Sequence, residues 1–325
     1  MRFNGQKGFT LIEVLISLIL ITLISVAVMG SLGPWLSFKE KLDTQRKLTD
    51  LQTAIKLAYA ANAMAVDSTG AQVIQFSDGS QMRSSTVQNG RCLPNAGTWQ
   101  ALKAFLPEGP TNSGLDGFQQ PFCVFVSNQL SAQGPGATIY YHNIAIVSLG
   151  TTGVVNPGTS FDVNTGAFTA GGQNTGVLVN GYDVQLDKMT QTQKKLDKLS
   201  SVYETYFTAE YLSTASRDVT VDYFANSGPS GTWDTNGSVP GTSGFEPANA
   251  VLQSLGIGPQ DALSPYESNN TILVNNTAGG AMGTSVRSSS ATSGSGQPPY
   301  TALLIAPLPS PGGTESLVEV VTGNY

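Results

Sequence analysis

An α+β fold is predicted: a long N-terminal helix packed on an antiparallel-sheet head, followed by a second α+β head of the same kind. Three observations carry it. An apolar run over residues 9–29 leads into a stretch with apolar positions at helical spacing. Short β-branched and aromatic runs, bounded by Gly, Ser and Asn, come next. Two parts of the chain then match one another at an offset of 148 residues.

The first eight residues carry Arg2 and Lys7 and no acid. The run from Phe9 to Met29 holds one charge, Glu13. At about 1.5 Å per residue it spans roughly 31 Å, close to the hydrocarbon thickness of a bilayer. The basic flank then stays cytoplasmic and everything after residue 30 is exported. An ordinary secretory signal is excluded, because the run is too long and no small-x-small site follows it. The small residue, Gly8, stands ahead of the run instead.

A carboxylate at the centre of such a run costs about 2.5–3.5 kcal/mol, and somewhat less near its edge. Glu13 reads either as an interfacial side chain that snorkels or as one with a cationic partner. If the chain is cut between Gly8 and Phe9, the new α-amino group of a neighbouring subunit is such a partner. That ion pair would also set the axial stagger between subunits.

The segment KGFTLIEV, Lys7 to Val14, resembles the cleavage and methylation site of type IV prepilins and type II secretion pseudopilins. The resemblance covers about the first 30 residues. It implies that prepilin peptidase cuts after Gly8, that Phe9 becomes the N-methylated first residue, and that Glu13 is the assembly carboxylate. It implies as partners other pilins, met through the N-terminal helix, and an inner-membrane assembly platform. The chain is then expected in the inner membrane, single-pass with its bulk periplasmic, and afterwards in an extracellular filament of a Gram-negative-type bacterium. Many pilins kink their apolar helix at a Pro. Here Gly30, Gly33 and Pro34 predict a later interruption.

Beyond it, Leu48, Leu51, Ile55, Ala58 and Tyr59 mark one face of an amphipathic helix ending near Ser68–Gly70. A short helix is expected over 99–106 and strands over 121–126 and 138–147. The turn at Leu115–Phe118 is similar to the one leading into the pilin sheet. The repeat pairs 44–51 with 192–199, Tyr59 with Phe207, 115–118 with 263–266, and 123–126 with 271–274. A duplicated pilin head follows, with the second helix over about 187–215. The organisation is a leader (1–8), a transmembrane and assembly helix (9–29), a first head (30–150), a Gly/Thr-rich linker (151–181) that has room for a hairpin, and a second head (182–325). Two low-complexity stretches, about 226–246 and 275–298, read as exposed loops.

The net charge of −6 argues against a nucleic-acid-binding surface, which needs a basic stripe. Arg46, Lys47, Lys194 and Lys195 read as a solvated helix face. Cys92 and Cys123 read as one disulfide if the bulk of the chain is exported, two buried thiols being the alternative. The single His142 cannot supply a zinc set and reads as structural or surface. Asp162 to Gly166 has a faint calcium-loop pattern without the later Glu, and an Asx turn is the plainer reading. No catalytic motif stands out, so no enzyme, metal or cofactor is expected. A filament subunit of low stoichiometry is expected, a minor pilin whose second head displays a surface for attachment to a surface, glycan or DNA. A type II secretion pseudopilin is the alternative.

Overall fold

In a computed structural model, residues 11–70, 72–221, 223–224, 246–247, 259–266, 273–275, 299–311 and 315–325 are described. The chain is α+β. Helix α1 (Leu11–Ala61) runs unbroken for 51 residues with Pro34 inside it. The expected interruption at Gly30–Pro34 therefore does not end the helix. Pro34 removes one backbone donor, a local loss that the long helical stretches on both sides outweigh. The break comes at Asn62, whose side-chain amide donates to the Ala58 carbonyl at 2.8 Å. A single turn, α2 (Ala63–Val66), follows.

Two small hairpins come next, β1 (Val73–Gln75) with β2 (Gln81–Arg83) and β3 (Val87–Gln88) with β4 (Arg91–Cys92). The expected helix at 99–106 begins earlier, as α3 (Ala96–Ala101), and closes in a 3-10 turn at Lys103–Phe105. Asn95 caps it, accepting from the Thr98 N–H at 3.3 Å. A short α4 (Gly109–Ser113) leads to the first sheet.

That sheet has the order β11-β8-β5, built from β5 (Cys123–Val126), β8 (Asn143–Ser148) and β11 (Thr175–Asn180), all antiparallel. Between β5 and β8 stands a separate hairpin, β6 (Leu130–Gln133) with β7 (Thr138–Tyr141). The single strand expected over 138–147 is thus two strands in two sheets, parted at His142. The region expected as a linker holds a small hairpin, β9 (Ser160–Phe161) with β10 (Phe168–Thr169), and then β11. It supplies an edge strand to the first sheet and is more than a connector.

The second helix, α5 (Gly181–Ser213), starts six residues before its expected position. The Asn180 side chain accepts from the Tyr182 N–H at 3.1 Å, and Asp183 sits in the first turn, where a carboxylate meets the positive helix end. The second sheet has the order β12-β13-β14-β15: β12 (Glu246–Pro247), β13 (Leu273–Asn275), β14 (Thr301–Pro307) and β15 (Ser316–Thr322). The expected loops at 226–246 and 275–298 lie almost wholly outside the described residues.

Each helix lies over its sheet, α1 on β11 and β8, and α5 on β15 and β14. All five predicted face residues of α1 are buried, packed with Phe122, Val124, Ile144 and Ile146. The second core gathers Met189, Leu196, Leu199, Tyr203 and Phe207 under α5. It also takes in Ala63, Ala137 and Ile139 from the first half of the chain. The two halves therefore share apolar surface, along β7 and the end of α1.

Candidate functional site

At the N-terminus, Gly8 and Phe9 lie outside the described residues. Glu13 stands in the first turn of α1 and is exposed. Around it Leu11, Ile12, Val14, Leu15 and Ile16 are exposed as well, Leu11 at 84%. From Thr44 onward the same helix buries one face against the head. One helix therefore has two regimes: an apolar part presented outward and an amphipathic part docked on protein. Among the described residues no helix is long and apolar enough to cross a membrane.

The head is fastened to α1 by a turn. Asp116 is fully buried, and its Oδ1 accepts from the Phe118 N–H at 2.9 Å and the Gln120 N–H at 2.8 Å. The Ser148 hydroxyl donates to its other oxygen at 2.6 Å. This Asx turn presses Gly117 onto the helix. A Cβ there would stand 2.1 Å from the Glu40 carbonyl oxygen, so only glycine fits. Beside it, the Lys47 amine donates to the Leu115 carbonyl at 3.0 Å.

The same contacts recur 148 residues on. Lys195 donates to the Leu263 carbonyl at 2.8 Å, and the Tyr266 N–H donates to Ser264 Oγ at 3.2 Å. Thr44 and Thr192 each donate back to the carbonyl four residues earlier, at 2.8 Å. Position 265 is Pro where position 117 is Gly, and Pro has no N–H to offer. There Lys188 instead donates to the Pro265 carbonyl at 2.8 Å. Burial lowers the amine pKa of both Lys188 and Lys195. The expectation of a solvated basic face holds for Arg46, whose side chain is 61% exposed. It fails for Lys47, at 11%, because the lysine is a clamp on loop carbonyls.

Cys92 and Cys123 form a disulfide that ties β4 to β5 beneath Val147 and Leu149. His142 is fully buried at the point where β7 and β8 part. Its Nδ1 lies 2.6 Å from Asp67 Oδ1, and its backbone N–H donates to the Tyr59 hydroxyl at 2.9 Å. Tyr59 in turn donates to Asp67 Oδ2 at 2.6 Å. Gln185, from α5, donates to the same Oδ2 and to the Ala63 carbonyl at 2.9 Å. Burial, then the Asp67 charge, pushes the Tyr59 phenol well above its ordinary pKa. Sequence reasoning missed Asp67 and Gln185, since neither stands in a recognisable pattern.

The turn at Asp162 is an Asx turn, with the Asn164 N–H donating to Asp162 Oδ1 at 2.8 Å. These bonds lower the carboxyl pKa. Among the described residues no group of three or more His, Cys, Asp or Glu is placed to hold a metal. A groove of about 450 Å³ runs between α1 and the loops at 150–151 and 172–175, lined by Lys41, Gln45, Phe118 and Thr151 among others. It brings together no acid–base pair.

The decisive observation for class is therefore the N-terminus, and residues 3–29 match a family model described as the prokaryotic N-terminal methylation motif. The chain carries the signature of type IV pilins and pseudopilins. This pilin signature supports a pilin-like or pseudopilin substrate of prepilin peptidase, with other pilins as partners. It fits anchoring in the inner membrane followed by assembly. No curated protein and no solved structure matches the chain.

Proposed function

We propose that the chain is a minor subunit of a type IV pilus-like filament. It is cut between Gly8 and Phe9, methylated at Phe9, held in the inner membrane by its apolar helix, and then drawn into a fibre. The observation that carries this reading is the methylation motif at the head of a 51-residue helix whose leading part faces outward with apolar side chains. In the fibre those side chains pack on the helices of other pilins, and Glu13 meets the freed α-amino group of a neighbour.

The globular part is two pilin-like heads, the second a copy of the first without the membrane half of its helix. Support comes from the matched order of elements, with β5-β8-β11 under α1 and β13-β14-β15 under α5. Leu48 and Leu196, Leu51 and Leu199, Ile55 and Tyr203, and Tyr59 and Phe207 are buried at one offset. The lysine clamps and the turns they hold agree at that offset too. On this reading we put the boundary between heads at Asn180–Gly181, a choice supported by the pairing of β11 with β8.

Two heads on one helix are bulky for a subunit repeated along a tight helical array, which favours low stoichiometry. The second head then serves display, its polar loops offering an attachment surface. The test is incorporation. A Glu13→Leu chain should enter fibres at least about tenfold less than the parent, as loss of a desolvated ion pair demands. Equal incorporation would refute the assembly role of Glu13. Equal abundance of this chain and the other pilins in purified fibres would refute the minor-subunit reading.

A further inference from the structure

Two glutamines of α5 reach across to the first half of the chain. Gln193 does so at the exposed rim, donating to the Pro135 carbonyl. Gln185 does so in the interior, at 1% exposure, donating to Ala63 and to Asp67. We infer that Asp67 is the lock that holds the second head in one orientation on the first, with Gln185 as its positioning partner. The inference goes beyond the filament role, and it stands whether or not the two halves are copies.

The Asp67 carboxylate is costly to bury. Asp67 is fully buried, and a buried charge is tolerated only while hydrogen bonds replace the water it has lost. Its partners come from three separate elements: Tyr59 from α1, His142 from the β7–β8 junction, and Gln185 from α5. Swinging α5 away removes Gln185 and leaves Tyr59 alone on Oδ2 of the buried carboxylate. The carboxylate therefore favours the docked state as a unit.

The same group positions both sides of the interface. Through His142 it sets the point at which β7 leaves β8, and β7 carries Ile139 into the core under α5. Through Gln185 it holds α5 itself, and the Tyr266 hydroxyl donates to the Gln185 carbonyl at 3.2 Å, passing the constraint to the second turn. No spacer intervenes between the halves, since β11 ends at Asn180 and α5 begins at Gly181. A Cβ at Gly181 would stand 2.2 Å from the His142 carbonyl oxygen and 2.7 Å from the Tyr59 hydroxyl. The start of α5 is thus seated directly on two of the groups that hold Asp67. The distal head is aimed by side-chain bonds, and whatever it carries is presented at a fixed angle to α1.

Hydrogen exchange read by mass spectrometry on the full chain in detergent tests this. Gln185→Glu sets a second carboxylate against Asp67. Exchange over 138–142 and 182–200 should rise by about tenfold, while β5 and β8 stay within about twofold of the parent. Asp67→Asn alone should raise exchange over the same two segments, because an amide offers Tyr59 and Gln185 no second acceptor oxygen in place of Oδ2. Gln185→Leu should give a smaller rise with the same spatial pattern. An even rise across both heads, parental exchange in Asp67→Asn, or parental exchange in Gln185→Leu would each overturn the lock.

Discussion

The two helix-and-sheet halves agree near the base of their helices and differ at the top. At the base, Lys47 and Lys195 make the same bonds to the loop that follows, and Leu48 and Leu196 fill the same place. At the top, Tyr59 faces Asp67 and His142, whereas its counterpart Phe207 sits in an aromatic cluster. Phe224 lies 4.6 Å from the Phe207 ring, Tyr325 lies 5.2 Å from it, and Tyr223 lies 5.5 Å from it. The difference follows from what each top must meet. The first receives the second half of the chain and needs a directional, polar joint. The second closes on its own last strand, where area and ring geometry suffice. A clamp that serves the fold is present in both halves, while the group at the tip is matched to its neighbour.

The comparison breaks most visibly at Phe207. Phe207→Ala should cost about 3–5 kcal/mol, a large truncation in a full core. Calorimetry in detergent should register it, and hydrogen exchange should place the loss after residue 181 and at Ala63, Ala137 and Ile139, which share that core. Loss spread evenly over both halves would mean the tops are not independent.

Next comes the disulfide, which the second half lacks. Replacing Cys92 and Cys123 together by Ser should cost about 2–4 kcal/mol in the loop-entropy picture. The effect belongs to the first half alone, and a reducing agent should reproduce it.

Tyr59→Phe takes one donor from a buried carboxylate and should cost about 1–3 kcal/mol. Phe207→Tyr, the reverse exchange, should not recover it. The tyrosines also set an alkaline limit. Burial raises the phenol pKa of Tyr59, Tyr203 and Tyr266, with the Asp67 charge adding to the first and third. In the unfolded chain these groups ionise near pH 10. Above that pH the unfolded chain has released protons that the folded chain keeps. Stability is therefore intact below about pH 10 and falls as pH rises through the folded values. Denaturant midpoints between pH 8 and 12 should show that decline.

The smallest effect sharpens the likeness instead. Lys47→Met and Lys195→Met should each cost about 1 kcal/mol, the net worth of the bonds removed. Midpoint shifts that agree within about 0.5 kcal/mol support equivalent clamps, and a clear inequality argues against them.

Much of this was legible in the sequence. The face of α1 could be read because five apolar residues share one helical side, and all five are buried. The α5 helix could be read from its match to 44–51. The strand β11 was obscured because Gly and Thr surround it, and its six residues carry only a short apolar run, Val177 to Val179. The split at His142 was hidden because both strands share one β-branched and aromatic pattern. The split is marked by buried contacts with Asp67, 75 residues away, and Tyr59, 83 residues away. Asp67 itself gave no signal, since an Asp ahead of Ser68 and Gly70 reads as a plain turn residue. Burial of one carboxylate is decided by partners far along the chain, which no local spacing encodes.

The proposed filament role requires that the N-terminal motif be used as it is in pilins. Mass spectrometry of the N-terminal peptide, from protein sheared off cells as filaments, tests that most directly. The peptide should begin at Phe9 and carry one added methyl group on its amine. A peptide that begins at Met1, or at any residue other than Phe9, would contradict it.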